Sequence, residues 1–269
     1  MIAVQFAASI SMLFTERPFL DRPAAAAAAG FAAVECHYPY DTPPGDLRRA
    51  VERAGLRLLG INTAVRRLGP DDSGIGAFPD LQAEADARFD EAIAYALSAG
   101  ASAIHVKPGQ GDPTDDAARS AFVGHLARSA AKAARHGIML LIEPLNSRDN
   151  PGYFLRGIEQ AAGIARDVGH PAVLLMFDVY HVQILEGDVI RRFERLRPLV
   201  GHVQIAGVPD RTEPDTGEIA YERLIPRLAA LGYDGWIAAE YRPRARTEDG
   251  LGWLARLSMP STDAGGPIP

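Results

Sequence analysis

The stretch GHVQIAGVPDRTEPDTGEIAY, residues 201–221, predicts one strand, a polar loop and the start of a helix. In residues 202–205, two β-branched side chains alternate with His202 and Gln204, a pattern typical of a short buried strand. The loop that follows holds two prolines, two glycines and five charged residues. Polar side chains in a buried strand are either satisfied within the core or turned toward a site at the strand's end. The flanking sequence has to decide between these two interpretations.

The same strand-to-helix unit recurs along the chain. Strand-like runs lie at residues 4–8, 33–36, 56–61, 103–106, 139–143, 174–178, 202–205 and 236–240. Helix-like runs lie at residues 23–29, 45–54, 81–99, 115–136, 155–168, 188–196, 221–231 and 248–257. The strands are short and apolar on both faces, which indicates parallel βαβ units. Eight such units predict an α/β fold, a single (β/α)₈ TIM barrel. A doubly wound open sheet is the alternative, disfavoured because no GxGxxG follows the first strand.

The domain organisation follows from the same pattern. Residues 1–257 are expected to form one barrel domain, because no linker interrupts the alternation. Residues 258–269 are rich in proline and glycine, which predicts a disordered tail outside the barrel. The longest irregular insert, residues 66–81, follows the third strand and is expected to cover the carboxyl end of the barrel as a lid.

Composition limits the class of function. The 269 residues are 47% hydrophobic and 23% charged, enough apolar content for a large core. A net charge of −6 argues against nucleic-acid binding. The single cysteine, Cys36, excludes an internal disulfide. No apolar run predicts a membrane span, and the apolar N-terminus predicts a first strand, with a signal peptide as the weaker alternative. We therefore expect a cytoplasmic enzyme that contacts neither nucleic acid nor membrane.

Four oxygen-bearing side chains close four consecutive strands. Glu143, Asp178, Gln204 and Glu240 end the fifth to eighth predicted strands. In a (β/α)₈ barrel the active site lies at the carboxyl ends of the strands, so these side chains should converge. One carboxylate at a strand end is usually just solvated, but three carboxylates at one barrel mouth repel one another. A bound cation removes that repulsion, and an all-oxygen ligand set favours Mg²⁺ or Mn²⁺. His202 either orients a ligand from below or is a satisfied core histidine.

Several long motifs resemble one known family. LIEPLNSRDNPGYFL, FDVYHVQILEG, GHVQIAGVPDRTEPDTGEIAY and EYRPRARTEDGLGWL closely resemble hydroxypyruvate isomerases, as do SISMLFTERPFLDR and VECHYPYD near the start. That family belongs to the xylose-isomerase-like barrels, and one close relative acts on 2-oxo-tetronates. The resemblance implies that Glu143 and Glu240 transfer the proton, and that Glu143, Asp178, Gln204 and Glu240 match the metal site. Residues 63–82 and 105–112 depart from the family pattern, which leaves the size of the substrate open.

The resemblance implies an aldose–ketose type isomerase, which converts hydroxypyruvate to 2-hydroxy-3-oxopropanoate through an enediolate. The carboxylate of such a substrate needs a cation, for which Arg211 is the first candidate and Lys107 the second. His181 is a candidate donor to a substrate oxygen. Glu35 either accepts a substrate hydroxyl or pairs with a nearby cation.

The alternatives are a 2-oxo-tetronate isomerase, a ketose 3-epimerase, and a non-catalytic sugar-acid binding protein. A DNA-repair endonuclease is disfavoured by the scattered histidines and the negative charge. The expected partner is a small hydroxy-keto acid or sugar acid, and self-association into a homo-oligomer is left open.

Overall fold

The computed structural model describes residues 4–65 and 73–258. Nine parallel strands form one sheet in the described ranges: β1 (Gln5–Ser9), β2 (Ala33–Glu35), β3 (Arg57–Leu58), β4 (Gly60–Asn62), β5 (Ala103–His105), β6 (Met139–Ile142), β7 (Val173–Asp178), β8 (Val200–Ile205) and β9 (Trp236–Ala239). Their order is β3-β2-β1-β9-β8-β7-β6-β5-β4. The two edge strands are consecutive in the chain, so the sheet curls into a nearly closed barrel. The predicted (β/α)₈ fold is confirmed.

The prediction of one strand over residues 56–61 was wrong, because the structure has two short strands there. It consists of β3, which pairs with β2, and β4, which pairs with β5. Leu59 lies between them, and its backbone joins both sides: its N–H donates to the Val34 carbonyl at 2.8 Å, and its carbonyl accepts from Ser102 N–H at 3.2 Å. The chain therefore changes its pairing partner at Leu59, and this change brings the two edges of the sheet together.

Helices cover the outside of the barrel. They are α1 (Arg22–Ala28), α2 (Pro44–Arg53), α3 (Gln82–Ala99), α4 (Asp116–Ala134), α5 (Ile158–Val168), α6 (Val179–Leu185), α7 (Val189–Leu196), α8 (Tyr221–Ala230) and α9 (Gly252–Ser258). The described ranges contain no helix both long and apolar enough to cross a membrane. As the sequence predicts, α3 ends at Gly100 and α5 at Gly169, both left-handed, with φ of 82° and 62°.

Three helices differ from the sequence prediction. The expected helix over residues 155–168 begins only at Ile158, and the one over residues 248–257 becomes α9, which is preceded by a 3₁₀ turn. Helix α6 was missed, because it follows β7 without any loop. Asp178 ends the strand and also caps this helix, since its side chain accepts a hydrogen bond from Tyr180 N–H at 2.8 Å. Residues 66–72 of the expected lid and 259–269 of the expected tail lie outside the described residues.

The axis of the barrel is lined by small side chains. Ala7, Ala33 and Ala238 are fully buried and pack together with Leu59 against Trp236. Barrel interiors are usually filled by layers of bulky branched residues. Here the small side chains leave a cavity of about 310 Å³, which extends from the carboxyl rim toward the amino ends of the strands. This cavity gives a small molecule access to the polar side chains at the rim.

Candidate active site

The structure brings the four predicted rim residues to one end of the barrel. Glu143 directly follows β6, Asp178 ends β7, Gln204 lies in β8 and Glu240 directly follows β9. All four are buried, with exposed fractions between 1% and 5%. Glu143, Gln204 and Glu240 line the cavity. Buried carboxylates are rarely left without a balancing partner, so the contacts of each one show what the site can do.

Glu143 is the least satisfied of the carboxylates. Its Oε1 has no hydrogen-bond partner among the described residues. The nearest basic atoms are His181 Nε2, 3.9 Å from Oε1, and His105 Nδ1, 3.6 Å from Oε2. Burial raises the pKa of Glu143 well above its usual value, and the neighbouring Glu240 and Asp178 raise it further. Glu143 therefore tends to hold a proton when no cation is bound.

Glu240, unlike Glu143, has a partner for each of its carboxylate oxygens. Its Oε1 is 2.6 Å from His37 Nε2, and its Oε2 accepts a hydrogen bond from Arg211. Burial acts to raise the pKa of Glu240, but Arg211 and His37 outweigh burial and hold that pKa below its usual value. The two glutamates that the family resemblance assigns to proton transfer thus have displaced pKa values of opposite sign. Such a pair is suited to supply one acid and one base.

Arg211 lies between two of the rim carboxylates. Besides Glu240, its guanidinium donates to Asp178 Oδ2 at 3.4 Å, and it stacks 5.1 Å from the ring centre of Tyr180. Burial acts to lower the pKa of Arg211, but Glu240 and Asp178 overcome this and raise it. Burial raises the pKa of Asp178 to about 7, although Arg211 opposes the rise. Arg211 therefore balances the charge of the rim in this structure.

The backbone at Arg211 has a conformation that is uncommon for a residue with a side chain. Its φ is 55°, in the left-handed region. The surrounding loop holds it there, because Arg211 N–H donates to the Gly207 carbonyl at 2.8 Å and Arg242 N–H donates to the Arg211 carbonyl at 2.8 Å. Non-glycine residues in this region cluster at functional sites, where the surroundings determine the conformation.

His181 is buried beside Glu143 and Asp178, and the three offer ligand atoms within 4.8 Å of one another. However, His181 Nδ1 accepts a hydrogen bond from Asn146 N–H at 2.9 Å. Burial also lowers the pKa of His181 well below its usual value, so the ring is neutral and its one proton is on Nε2. An Nε2–H group donates a hydrogen bond and cannot bind a metal. His181 Nε2–H is therefore a buried donor without a described partner, and its predicted role as donor to a substrate oxygen stays a prediction.

Glu35, His202 and Gln204 form the floor of the site, a name we keep for these three residues. Gln204 Nε2 donates to Glu35 Oε1 at 2.7 Å, and His202 Nε2 lies 2.7 Å from Glu35 Oε2. Both oxygens of Glu35 are thus engaged within the protein. The sequence suggested that Glu35 either accepts a substrate hydroxyl or pairs with a nearby cation. The structure shows Glu35 paired with a nearby basic group, His202. Gln204 Oε1 has no partner among the described residues.

The donor set fits a hard cation. Glu143 Oε1 and Gln204 Oε1 are buried oxygens without described partners, and Asp178 adds a carboxylate beside them. Glu240 already contacts His37 and Arg211. Each of its oxygens keeps a second lone pair, so it can still contribute to a metal site. A divalent cation would satisfy the orphaned oxygens, which is the physical reason to expect one.

Lys107 lies two residues beyond β5 and lines the cavity together with Glu143 and Glu240. Its Nζ donates to the Tyr38 hydroxyl at 2.8 Å. The structure thus brings both cations that the sequence proposed for a substrate carboxylate to the mouth of the barrel.

Three polar residues that line the cavity were not predicted from the sequence: His37, Asn62 and His105. His37 and His105 lie beside the two glutamates, while Asn62 is buried at the carboxyl end of β4. A usable signal existed for Asn62 and His105, since each is a polar residue that closes a short apolar strand.

Comparison with known proteins identifies the family. Residues 23–257 match the family model described as a xylose isomerase-like TIM barrel. A 2-oxo-tetronate isomerase from Cupriavidus necator is 44% identical over 252 residues, which cover 93% of this chain and 97% of that protein. A Danio rerio protein provisionally named hydroxypyruvate isomerase is 38% identical over 265 residues, which cover 95% of this chain and 96% of that protein.

Solved structures agree with this result. A crystal structure described as AP endonuclease, family 2, from Brucella melitensis has a TM-score of 0.91 at 38% identity, covering 94% of this chain and 98% of that chain. A 3-keto-D-glucoside 4-epimerase from E. coli has a TM-score of 0.77 at 21% identity, covering 95% of this chain and 100% of that chain, which shows a common fold alone. The resemblance seen in the sequence is confirmed: the chain belongs to the xylose isomerase-like TIM barrel family.

Proposed function

We propose that this protein is an aldose–ketose type isomerase of small hydroxy-keto acids, with hydroxypyruvate as the first candidate substrate. The observation that carries the proposal is the pair Glu143 and Glu240. Both line one cavity, both are buried, and their pKa values are displaced in opposite directions. Moving a carbonyl to the adjacent carbon requires one group to remove a proton and another to return it. The names of the relatives, 2-oxo-tetronate isomerase and hydroxypyruvate isomerase, support the same reaction class.

In the proposed reaction, C3 of hydroxypyruvate loses a proton to one glutamate of the pair. The other glutamate returns a proton to C2, and the proton of the C3 hydroxyl passes to the C2 oxygen. The product is 2-hydroxy-3-oxopropanoate. The two glutamates exchange roles in the reverse direction. His181, with its proton on Nε2, donates a hydrogen bond to the substrate oxygen on which negative charge develops.

The cofactor we propose is Mg²⁺ or Mn²⁺, held by Glu143, Asp178, Gln204 and Glu240. When bound, such a cation supplies Lewis-acid stabilisation of the negative charge that develops during proton transfer. The residues of the chain hold the substrate between the two glutamates and limit the access of water, because the rim carboxylates are almost fully buried.

The second candidate substrate is a 2-oxo-tetronate. Two observations favour it: the 44% identity to a 2-oxo-tetronate isomerase and a cavity of about 310 Å³, which has room for a fourth carbon. Nuclease activity has little support, because a net charge of −6 opposes binding of a phosphate backbone. We also propose that residues 1–257 act as one domain in the cytoplasm.

One assay tests the proposal. Purified protein is incubated with hydroxypyruvate, 2-oxo-tetronates and four- to six-carbon ketoses, with and without EDTA, and the products are identified by NMR. We expect turnover of the keto acids, loss of turnover with EDTA, and recovery after Mn²⁺ is added. In deuterated water the product carbon should gain deuterium if the base exchanges its proton with solvent. Turnover of ketoses alone would indicate a 3-epimerase. Binding without turnover of any substrate would indicate a sugar-acid binding protein.

A further inference from the structure

The mouth of the cavity holds one of the two lysines in the chain; the other is Lys132, on the outer face of α4. Lys107 Nζ donates to the Tyr38 hydroxyl at 2.8 Å. It also lies 5.6 Å from the ring centre of Tyr38 and 5.9 Å from that of Tyr153. These contacts orient the ammonium group without neutralising it, because phenol hydroxyls and aromatic faces carry no net charge.

The other basic groups along the cavity already have a carboxylate neighbour. Arg211 is bonded to Glu240 and Asp178, and His37 is bonded to Glu240. His105 Nδ1 lies 3.6 Å from Glu143 Oε2, and His202 Nε2 lies 2.7 Å from Glu35 Oε2. Among the basic residues described along the cavity, Lys107 alone has no carboxylate within ion-pair distance.

The backbone around Lys107 is fixed on both sides. Its N–H donates to Thr63 Oγ1 at 3.3 Å, and its carbonyl accepts from Gly76 N–H at 3.2 Å. Gly74, with φ of 99°, packs so closely that an added Cβ would lie 2.4 Å from the Lys107 carbonyl oxygen. The backbone from which the Lys107 side chain starts therefore has little freedom, and the Tyr38 hydroxyl orients Nζ at the mouth of the cavity.

We propose that Lys107 binds the carboxylate of the substrate, and so selects keto acids over neutral ketoses of the same length. The inference rests on the proposed function and reverses the order of candidates that the sequence suggested. Arg211 keeps an Nε–H without a described partner, but its single positive charge already balances Glu240 and Asp178, so a third carboxylate beside it would leave buried negative charge without compensation. Lys107 can bind a carboxylate without breaking any described ion pair. The substrate acid would then lie toward β5, with the adjacent carbonyl carbon facing Glu143 and Glu240.

The test uses two pairs of substrates that differ only in the acid group. Hydroxypyruvate is paired with dihydroxyacetone, and a 2-oxo-tetronate is paired with erythrulose. For Lys107→Met we expect kcat/KM of each acid to fall about ten- to hundredfold, the usual weight of a hydrogen bond to a charged group. The fall in kcat/KM should come mainly from a higher KM. Activity on the neutral ketoses should fall much less than activity on the acids, because a ketose has no carboxylate to lose its cation, and Lys107→Arg should recover most of the activity on acids. Lys132→Met is the matched control and should behave as the wild type.

A binding measurement separates this inference from the proposed function. Calorimetry with tartronate, a three-carbon hydroxy diacid, and with glycerol, its neutral counterpart, requires no turnover. We expect Lys107→Met to lose tartronate affinity, and Lys107→Arg and Lys132→Met to retain it, with melting curves confirming that each variant is folded. If the wild type isomerises nothing, the proposed function fails while tartronate binding still tests Lys107. Equal tartronate binding by wild type and Lys107→Met, or an equal loss of activity on acids and ketoses, would overturn the inference.

Discussion

Glu35 on the floor of the cavity and Glu143 on its rim are both buried glutamates, yet their surroundings are opposite. Glu35 on the floor is 6% exposed and has both oxygens engaged, by His202 and by Gln204. Glu143 on the rim is 5% exposed and has one oxygen without a described partner. Burial alone therefore does not distinguish a supporting carboxylate from a reactive one.

The contacts make this distinction. A carboxylate that is fully hydrogen-bonded has a fixed position and stabilises the groups around it. A buried carboxylate with a free oxygen is costly to the fold, and such costs are commonly retained at functional sites. We therefore expect that the same Glu→Gln change will remove activity at the rim and weaken positioning on the floor.

The largest effect is expected for the proton-transferring pair. Glu143→Gln and Glu240→Gln should each lower kcat at least about 10²-fold, the usual range for loss of a general acid or base. Glu143→Gln should not lower the melting temperature, because the changed oxygen has no partner to lose. Steady-state kinetics and calorimetric melting of both variants provide the check.

The double variant Glu143→Gln/Glu240→Gln should lose much less than the product of the two single losses, since residues that act as a unit are not additive. Full turnover by the double variant would contradict the two-carboxylate mechanism. Retained activity in only one single variant would point to one glutamate that moves the proton between adjacent carbons.

The next largest effect concerns the metal. Asp178→Ala removes a carboxylate from the expected ligand set and should weaken Mn²⁺ binding by at least about 10²-fold, more than is typical for loss of an outer-sphere contact. Isothermal titration of the wild type and the variant with Mn²⁺ measures the difference. Glu213→Ala is a suitable control, because Glu213 is a buried carboxylate bonded to Arg244 away from the cavity. Equal Mn²⁺ affinity in wild type and Asp178→Ala would remove Asp178 from the site.

A smaller effect is expected on the floor. Glu35 Oε1 accepts a hydrogen bond from Gln204 Nε2, so the amide nitrogen of Gln204 points toward Glu35 and its oxygen points away. Glu35→Gln removes this constraint and should weaken Mn²⁺ binding about tenfold, the lower range for a residue that orients a metal ligand. The exchange Glu35→Gln/Gln204→Glu restores a matched donor and acceptor and should recover affinity. Unchanged Mn²⁺ affinity in Glu35→Gln would show that the floor does not position the ligand.

The smallest effect is a pH dependence of stability in the ion-free protein. Burial raises the pKa of Asp178 from 3.8 to about 7, so the folded state binds more protons than the unfolded state within that interval. Stability should therefore fall as pH rises toward 7. Glu240, with a lowered pKa, loses its contribution only as pH falls below its usual value of 4.5.

Because metal ligands must be deprotonated, added Mn²⁺ should raise the melting temperature more at about pH 8 than at about pH 5. Melting curves with and without Mn²⁺ at both pH values measure this. The same stabilisation at the two pH values would argue against a cation among the rim carboxylates.

The sequence by itself determined the barrel and the polar residues that meet at its rim. Short apolar strands alternating with helices specify parallel βαβ units, and each unit is local in the chain. Because parallel strands of one barrel present their carboxyl ends on one side, a polar residue at each strand end is enough to predict that Glu143, Asp178, Gln204 and Glu240 meet. Arg211 and Lys107 were found in the same way, from loops that must lie at that end.

Only the tertiary structure decided which of these groups have hydrogen-bond or ion-pair partners within the protein. Glu35 pairs with His202 and Gln204 across 167 and 169 residues of chain, and Arg211 is bonded to Glu240 and Asp178. Such pairings depend on the closure and stagger of the barrel, which the order of residues along the chain does not encode locally. The break at Leu59 has the same origin, because it arises where the two edges of the sheet meet. Local periodicity thus placed the residues at the rim, and long-range packing set their charge and hydrogen bonding.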